Sequence, residues 1–224
     1  MRKKAVISTI IAIILTISAP IVSYADKPTQ PIFFDELTLL TNDELLALAE
    51  KAPSHTDTRP DSTLPRRKLT DAEFLKWQAE YLELGGINCF ELEVIRLINE
   101  KRAQHRLLPL GIMPHYMMAA RFRSQEMVDL NFFAHQSPVY GCRSEIIHRF
   151  GRNMGGSETL AGAFSPENTV TAWLNSPAHR NILLAPHLGA IGVGVSGNRT
   201  TAIFINGNMQ YIGFEITINE FLGR

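Results

Sequence analysis

Residues 173–183 read WLNSPAHRNIL, a run that combines the end of one helix, the start of another and a histidine. Ser176-Pro177 is typical of a helix N-cap followed by proline at the first helical position, where no backbone N–H is needed. On this interpretation His179 lies one turn inside a short helix. Ser176 then has a structural role, and it also lacks the Gly-x-Ser-x-Gly elbow that is usual for a nucleophilic serine.

The period of the apolar residues changes after this run. Three β-rich segments, 190–195, 202–205 and 211–216, are separated by turns that contain glycine and asparagine, which predicts an antiparallel meander. Before the run, apolar residues at helical spacing predict helices over 90–105, 114–130, 143–150 and 166–175. Helices that precede strands along the chain favour an α+β domain built from packed layers.

Three turn-rich segments carry polar residues that a helix or strand surface would not require: FAHQSP at 133–138, GSETLA at 156–161 and the run at 173–183. Together with LINEKR at 97–102 and IGVG at 191–194, in this order, they resemble the signature of the CAP superfamily. This superfamily comprises cysteine-rich secretory proteins, antigen 5 and plant pathogenesis-related proteins, and the likeness is to its bacterial SCP-like extracellular branch. The resemblance covers about residues 89–216. It implies a three-layer α-β-α sandwich with an antiparallel sheet, and residues 89–224 are assigned to this domain.

The resemblance also implies an open cleft lined by two histidines and two acidic residues. By motif, His135 is the first histidine, Glu158 the acidic residue and His179 the second histidine. This chain has Ser-Glu-Thr around Glu158 where the family usually has Gly-Glu-Asn, and the second acidic position falls on Ser176. The resemblance therefore predicts a ligand cleft that keeps three of the four family residues.

Two neutral imidazoles and a carboxylate can hold Zn²⁺ with one coordination position left open. His135, Glu158 and His179 are separated by 23 and 21 residues, so only the fold can bring them together. With the resemblance, they predict a site for a divalent cation such as zinc. The competing interpretation needs no cofactor: Glu158 hydrogen bonds both imidazoles and holds the walls of the cleft together.

The first 25 residues have the three parts of a secretory signal peptide. Three cations lie within Met1–Lys4, an uncharged apolar run follows from Ala5 to Tyr24, and small residues stand before a cut after Ala25. Cleavage predicts a protein that is secreted or associated with the cell envelope. The alternative is an uncleaved anchor, because the apolar run is nearly long enough to span a bilayer. No second run of that length follows, so we expect no transmembrane segment after cleavage.

Charge and cysteine content narrow the possible partners. The chain carries 22 cationic and 22 anionic residues, and removing the first 25 residues with their three cations leaves a net charge of −3. This gives no basic face for nucleic acid. Cys89 and Cys142 form an even pair, which predicts a disulfide in an oxidising compartment, with two buried free thiols as the alternative.

Residues 26–88 lie outside the resemblance and predict a helical N-terminal extension. Thr41 and Thr70 are suited to cap two helices. Phe74, Trp77 and Tyr81 recur at the spacing of one buried helix face. Between the two helices, residues 53–67 hold three prolines and few apolar residues, which predicts a linker.

Three functions are compatible with these features. The preferred one is an extracellular or envelope-associated binding module whose His/Glu cleft takes a divalent cation or a small polar or lipid-like ligand, because no nucleophile motif is present. The second is a metal-assisted extracellular hydrolase of peptide or envelope substrates, with Glu158 as general base. The third is a structural or adhesive protein with a vestigial cleft, in which residues 26–88 dock a partner. Across these functions the predicted partner is a protein, a lipid or an envelope ligand.

Overall fold

A computed structural model describes residues 38–55, 58–150, 156–162 and 165–207. The helices formed by these residues are α1 (Asn42–Ala49), α2 (Asp71–Glu83), α3 (Cys89–Gln104), α4 (Pro114–Asp129), α5 (Arg143–Phe150), α6 (Pro166–Asn175) and α7 (Pro177–Leu183). The strands are β1 (Gly111–Ile112), β2 (Gly156–Gly162), β3 (Leu188–Ser196) and β4 (Arg199–Asn206). The predicted signal segment, residues 1–25, and the predicted strand over 211–216 lie outside the described residues. None of the helices in the described ranges is long and apolar enough to cross a membrane.

The four strands form one sheet in the order β1-β3-β4-β2. β3 and β4 form the predicted antiparallel hairpin, with Ser196 opposite Arg199 across a two-residue turn. Gly197 in this turn has a φ of 51°, a left-handed conformation that such turns require. The other neighbour of β4 is β2, which is antiparallel to it and was not predicted as a strand, and the short β1 runs parallel to β3.

Helices cover both faces of the sheet. On one face Ile191, Val193 and Phe204 pack with apolar side chains of α1, α3 and α6. On the other face Ala190 and Ile203 pack with those of α2, α4 and α5. Successive side chains of a strand point to opposite faces, so β3 and β4 contribute to both cores. The predicted α+β fold with three α-β-α layers is confirmed.

Two glycines of β3 allow α4 to lie directly on the sheet. A Cβ atom added at Gly192 would lie 2.2 Å from the carbonyl carbon of Tyr116, and one at Gly194 would lie 1.9 Å from the backbone nitrogen of Arg121. Such distances are far below van der Waals contact, so any larger residue would push the helix away. The close approach fixes the height of α4 above the sheet, and with it the positions of the side chains that this helix sends toward the cleft.

A fully buried ion pair joins the N-terminal extension to the rest of the fold. Arg121 on α4 contacts both oxygens of Glu91 on α3, with Nε–Oε1 and Nη2–Oε2 distances of 2.5 and 2.6 Å. The same guanidinium donates to the backbone carbonyls of Thr58 and Gly86 at 2.7 and 2.9 Å. Glu91 in turn accepts from the backbone N–H of Val195 on β3. One buried pair therefore holds two helices, a strand and the extension together.

The segment predicted as a linker, residues 53–67, forms no α-helix or strand over its described residues. It nevertheless packs against the domain. Leu64 is buried, and its backbone N–H donates to Asp129 at the end of α4. Ser62 donates to Glu80 of α2 through both its N–H and its hydroxyl. The composition predicted a linker because the segment holds few apolar residues, and hydrogen bonds to the carboxylates of Glu80 and Asp129 fix it to the domain.

The predicted disulfide between Cys89 and Cys142 is wrong, because both cysteines are free. Cys89 begins α3, two residues before Glu91, which contacts β3. Cys142 lies beside Ser157 and Glu158 of β2, and β4 separates β2 from β3 in the sheet. The even cysteine count suggested a bridge, but one thiol lies at the start of α3 and the other lines the cleft beside β2.

The two thiols differ in exposure, which predicts different reactivity. Cys142 is exposed, and its Sγ lies 2.6 Å from the Ser144 hydroxyl. This hydrogen bond, together with those from nearby backbone amides, lowers the pKa of the thiol. Cys89 packs against the apolar core. We expect a disulfide-exchange reagent to label one thiol quickly in the native protein and a second only after denaturation. Cys142→Ser should abolish the fast phase, and Cys89→Ser should leave it. A protein with no titratable thiol before reduction would contradict the assignment.

Candidate functional site

A cleft of about 500 Å³ lies along the β2 edge of the sheet. Its walls come from the loop after α4, from the start of α5, from β2 and from α7. The lining residues are His135, Gln136, Cys142, Arg143, Ser157, Glu158 and Ile182. Two of the three predicted cleft residues, His135 and Glu158, are therefore among its lining residues.

The loop that carries His135 is held in place by a serine. Ser137 is buried, and its backbone pairs with that of Gly141 in both directions, at 2.7 and 3.1 Å. Its hydroxyl oxygen accepts from the backbone N–H groups of Val139 and Tyr140. The hydroxyl hydrogen is donated to Oε1 of Glu126 on α4. Ser137 thus acts as a structural clasp, and its hydroxyl is not available as a nucleophile.

Glu158 and His135 form the central contact of the cleft. Oε2 of Glu158 lies 2.7 Å from Nδ1 of His135. The two side chains differ sharply in exposure, since that of Glu158 is 2% exposed and that of His135 is 61% exposed. A buried carboxylate at Nδ1 fixes the orientation of the ring and leaves the Nε2 edge toward solvent and ligand. The arrangement presents one oriented imidazole at the mouth of the cleft.

Behind this pair lies Arg123 of α4, a residue that no sequence motif indicated. The Arg123 side chain is 1% exposed, and its Nε lies 3.5 Å from Oε1 of Glu158. Nη1 donates to Glu126 at 2.7 Å, and Nη2 donates to the backbone carbonyl of Ala134, next to His135. The guanidinium also lies over the ring of Phe132, 5.2 Å from its centre. Arg123 therefore connects both buried carboxylates with the loop that carries the histidine.

Glu126 is a second buried carboxylate at this site. Burial raises the pKa of Glu126, which the hydrogen bond from Ser137 and the charge of Arg123 oppose and the charge of Glu158 reinforces. The site therefore contains two acidic groups around one guanidinium. A run of polar residues in the middle of a helix with a predicted buried face, Arg121 to Glu126, was the sequence signal for this network. All five polar side chains of that run are buried.

His179 lies beside this group rather than within it. It is half-buried on α7, three residues before Ile182, which lines the cleft, and helical residues three apart are neighbours. Glu158 does not bridge the two histidines: Oε2 contacts His135, and Oε1 has no hydrogen-bond partner in the described part of the chain. Ser176 occupies the predicted N-cap position of α7, but its side chain makes no capping hydrogen bond.

The pKa of His179 is lowered, first by burial and second by the charge of His135. The unfolded chain therefore binds this proton more readily, and the contribution of His179 to stability is lost as the pH falls. In His135→Ala we expect the pKa of His179 to rise while staying below its ordinary value, since burial remains. His187→Ala, at an exposed turn, should leave it unchanged. An unchanged His179 titration in His135→Ala, followed by NMR of the imidazole protons, would contradict the proximity of the two rings.

The three-ligand metal site is not assembled. Within the described ranges no group of three or more His, Cys, Asp and Glu side chains is placed to hold a metal ion. His135 and Glu158 meet, but His179 does not complete the set, and a buried guanidinium faces the second oxygen of Glu158. The residues present therefore do not fit the predicted zinc site.

A three-layer sandwich with a histidine and a glutamate in a cleft at the sheet edge defines a domain of the CAP type. The family model described as the cysteine-rich secretory protein family matches residues 95–208. The chain belongs to this family, as the sequence motifs predicted.

Two bacterial proteins are similar to this chain. The uncharacterized protein YkwD of Bacillus subtilis (strain 168) is 38% identical over 125 residues, which are 54% of this chain and 49% of that protein. The crystal structure of an extracellular protein containing a SCP domain, from Bacillus anthracis str. Ames, is 26% identical with a TM-score of 0.52. That match covers 62% of this chain and 44% of the other. The chain thus spans about half the length of the relatives that it matches.

Proposed function

We propose that this protein is an exported binding module of the cell envelope, and that its cleft takes a small polar fragment of envelope glycan and peptide, a muropeptide. The observation that carries the proposal is the contact between buried Glu158 and exposed His135 in the cleft. A carboxylate that fixes an imidazole at the mouth of a cleft provides a specific hydrogen-bonding group for a ligand.

The remaining lining residues favour a ligand rich in hydroxyl and amide groups. Gln136 and Ser157 offer both donors and acceptors, and Ile182 adds an apolar surface. Sugar rings and peptide stems combine these same groups, and a cleft of about 500 Å³ is in the range of small-molecule sites. Arg143 donates to the backbone carbonyl of Gly156 and adds a positive charge to the wall of the cleft.

Two features support an envelope location. Residues 1–25 have the pattern of a secretory signal, with a cationic start, an apolar middle and a small-residue end. The similar Bacillus anthracis structure is described as that of an extracellular protein. An exported protein meets envelope glycan directly, which agrees with the chemistry of the cleft.

Calorimetric titration with a purified disaccharide-tetrapeptide muropeptide tests the proposal. We expect the wild type to bind, and Glu158→Gln and His135→Ala to weaken binding roughly tenfold to a hundredfold, since each removes a hydrogen bond that involves or orients a charged group. His187→Ala is the matched control, because it removes an exposed imidazole outside the cleft. Absence of heat with the wild type, or equal binding by all four proteins, would contradict the proposal.

The same contact supports a hydrolase as a second candidate. A carboxylate that orients an imidazole is the arrangement in which histidine serves as a general base. In that case His135 rather than Glu158 would take the proton, because both oxygens of Glu158 face Arg123 or His135. We expect a hydrolase to cleave the muropeptide or a peptide substrate and to lose turnover in His135→Ala. Binding without product formation would leave only the binding role.

A further inference from the structure

Arg123 is a cation that the fold itself places at the centre of the site. All three of its nitrogen atoms face acceptors: Nε faces Glu158, Nη1 faces Glu126 and Nη2 faces the carbonyl of Ala134. Its side chain is 1% exposed, so water screens none of these contacts effectively. Burying an unpaired carboxylate is costly, and one guanidinium here serves two of them.

We infer that the guanidinium of Arg123 takes the place of a divalent cation in this cleft, so that His135 and Glu158 recognise their ligand without a bound metal. Glu158 and His135 are a carboxylate and an imidazole in contact, which are donor types that zinc takes, and Glu126 is a second carboxylate on another nitrogen of the same guanidinium. In this chain Arg123 lies between the two carboxylates, hydrogen bonded to Glu126 and 3.5 Å from Glu158, and its charge balances theirs instead. A divalent ion near Glu158 would meet a fixed positive charge at short range.

The position of Arg123 also indicates which group of the Glu158–His135 pair contacts a ligand. Oε2 of Glu158 is bonded to His135 and Oε1 faces Arg123, so the carboxylate is fully directed toward the protein. The Nε2 edge of His135 is then the group of the pair that meets a ligand. This part of the inference rests on the proposed binding function, whereas the replacement of the metal by Arg123 does not. Arg123 is a positioning residue: it holds Glu158, and Glu158 holds the imidazole.

A titration with ZnCl₂ tests the replacement directly. We expect the wild type and His135→Ala to show the same weak zinc binding, because the wild type has no specific site at His135. In Arg123→Gln the carboxylates of Glu126 and Glu158 lose their counter-ion, and we expect zinc affinity to rise about tenfold or more. Arg123→Lys keeps a cation and should show no such gain. His135→Ala in the Arg123→Gln protein should remove the gain.

Circular dichroism checks that each variant is folded. The double variant Arg123→Gln/Glu126→Gln is a second control, because it removes both partners of one buried pair, and we expect it to bind zinc more weakly than Arg123→Gln alone. A folded Arg123→Gln protein with unchanged zinc affinity would overturn the inference. If Arg123→Gln does not fold, the comparison of zinc binding by the wild type and by His135→Ala tests the inference. Zinc binding that His135→Ala weakens tenfold or more would overturn the inference, and equal binding by the two proteins would support it. Muropeptide binding is measured separately, with chelator present. A failure of the proposed binding function is therefore distinguishable from a failure of the inference about Arg123.

Discussion

Replacement of Arg121 by methionine is expected to destabilise the protein by about 3–5 kcal/mol, the usual cost of removing one partner of a buried ion pair. Both side chains of the Arg121–Glu91 pair are 0% exposed. Without the guanidinium, the donors that Glu91 keeps within the described ranges are the backbone N–H groups of Val195 and Asn88, for a carboxylate that water cannot reach. The carbonyls of Thr58 and Gly86 also lose their donor. Urea unfolding monitored by circular dichroism measures the change.

Arg96→Met is the matched control, because Arg96 pairs with Glu93 on the surface of α3. The side chains of Arg96 and Glu93 are 21% and 20% exposed, and pairs at the surface contribute about 0–1 kcal/mol to stability. The comparison separates the loss of an arginine as such from the loss of a buried counter-ion. A cost for Arg121→Met no larger than that for Arg96→Met would contradict the role given to the buried pair.

Replacement of Trp77 by alanine is expected to cost about 3–5 kcal/mol, as is usual for a large aromatic side chain removed from a core. Trp77 is 0% exposed and lies against the rings of Tyr81, Phe122 and Phe150. Its Nε1 donates to the buried amide oxygen of Gln125 at 2.8 Å, and that acceptor would be left without its donor. Because Trp77 is in the extension and Phe122 is in α4, the loss should destabilise the whole fold.

Leu75→Ala is the control for Trp77→Ala, because Leu75 lies on the exposed side of the same helix, α2. Leu75 is 64% exposed, so its removal should change the free energy of unfolding by no more than about 0.5 kcal/mol. Trp77→Ala should lower the single unfolding midpoint seen by both tryptophan fluorescence and circular dichroism. Early loss of α2 alone, with the remaining domain unchanged in stability, would contradict a cooperative role of the extension.

Local rules predicted the helices well. Thr41 and Thr70 form the capping boxes that their sequences indicate, and Pro114, Pro166 and Pro177 each begin a helix. These signals act within one turn of chain, so the sequence carries them directly. The β3–β4 hairpin could also be predicted from the sequence, because two apolar runs flank a turn that contains glycine.

The unpredicted strands lack such local signals. β2 includes Ser157, Glu158 and Thr159, with neither β-branched enrichment nor a regular alternation, and it is a strand because β4 pairs with it along its whole length. β1 has only two residues and is defined by its pairing with β3. Pairing partners distant in the chain determine both strands, and no window of sequence contains that information.

The candidate site was predicted in part. Motif resemblance located Glu158 and His135, which the structure brings together, and His179, which lies at the margin. Arg123 and Glu126 were missed, because a buried charge in a helix is meaningful only once its partner is known. The disulfide prediction failed for a related reason, since an even cysteine count cannot show whether two thiols meet.

The most direct test of the cleft as a binding site is a map of backbone amide NMR shifts during titration with the muropeptide. We predict the largest changes at Gln136, Ser157 and Ile182, around the contact between His135 and Glu158, with Glu158→Gln abolishing them. Changes confined to residues outside the cleft, such as Lys68 and His148 of the separate groove beside α5, would contradict it.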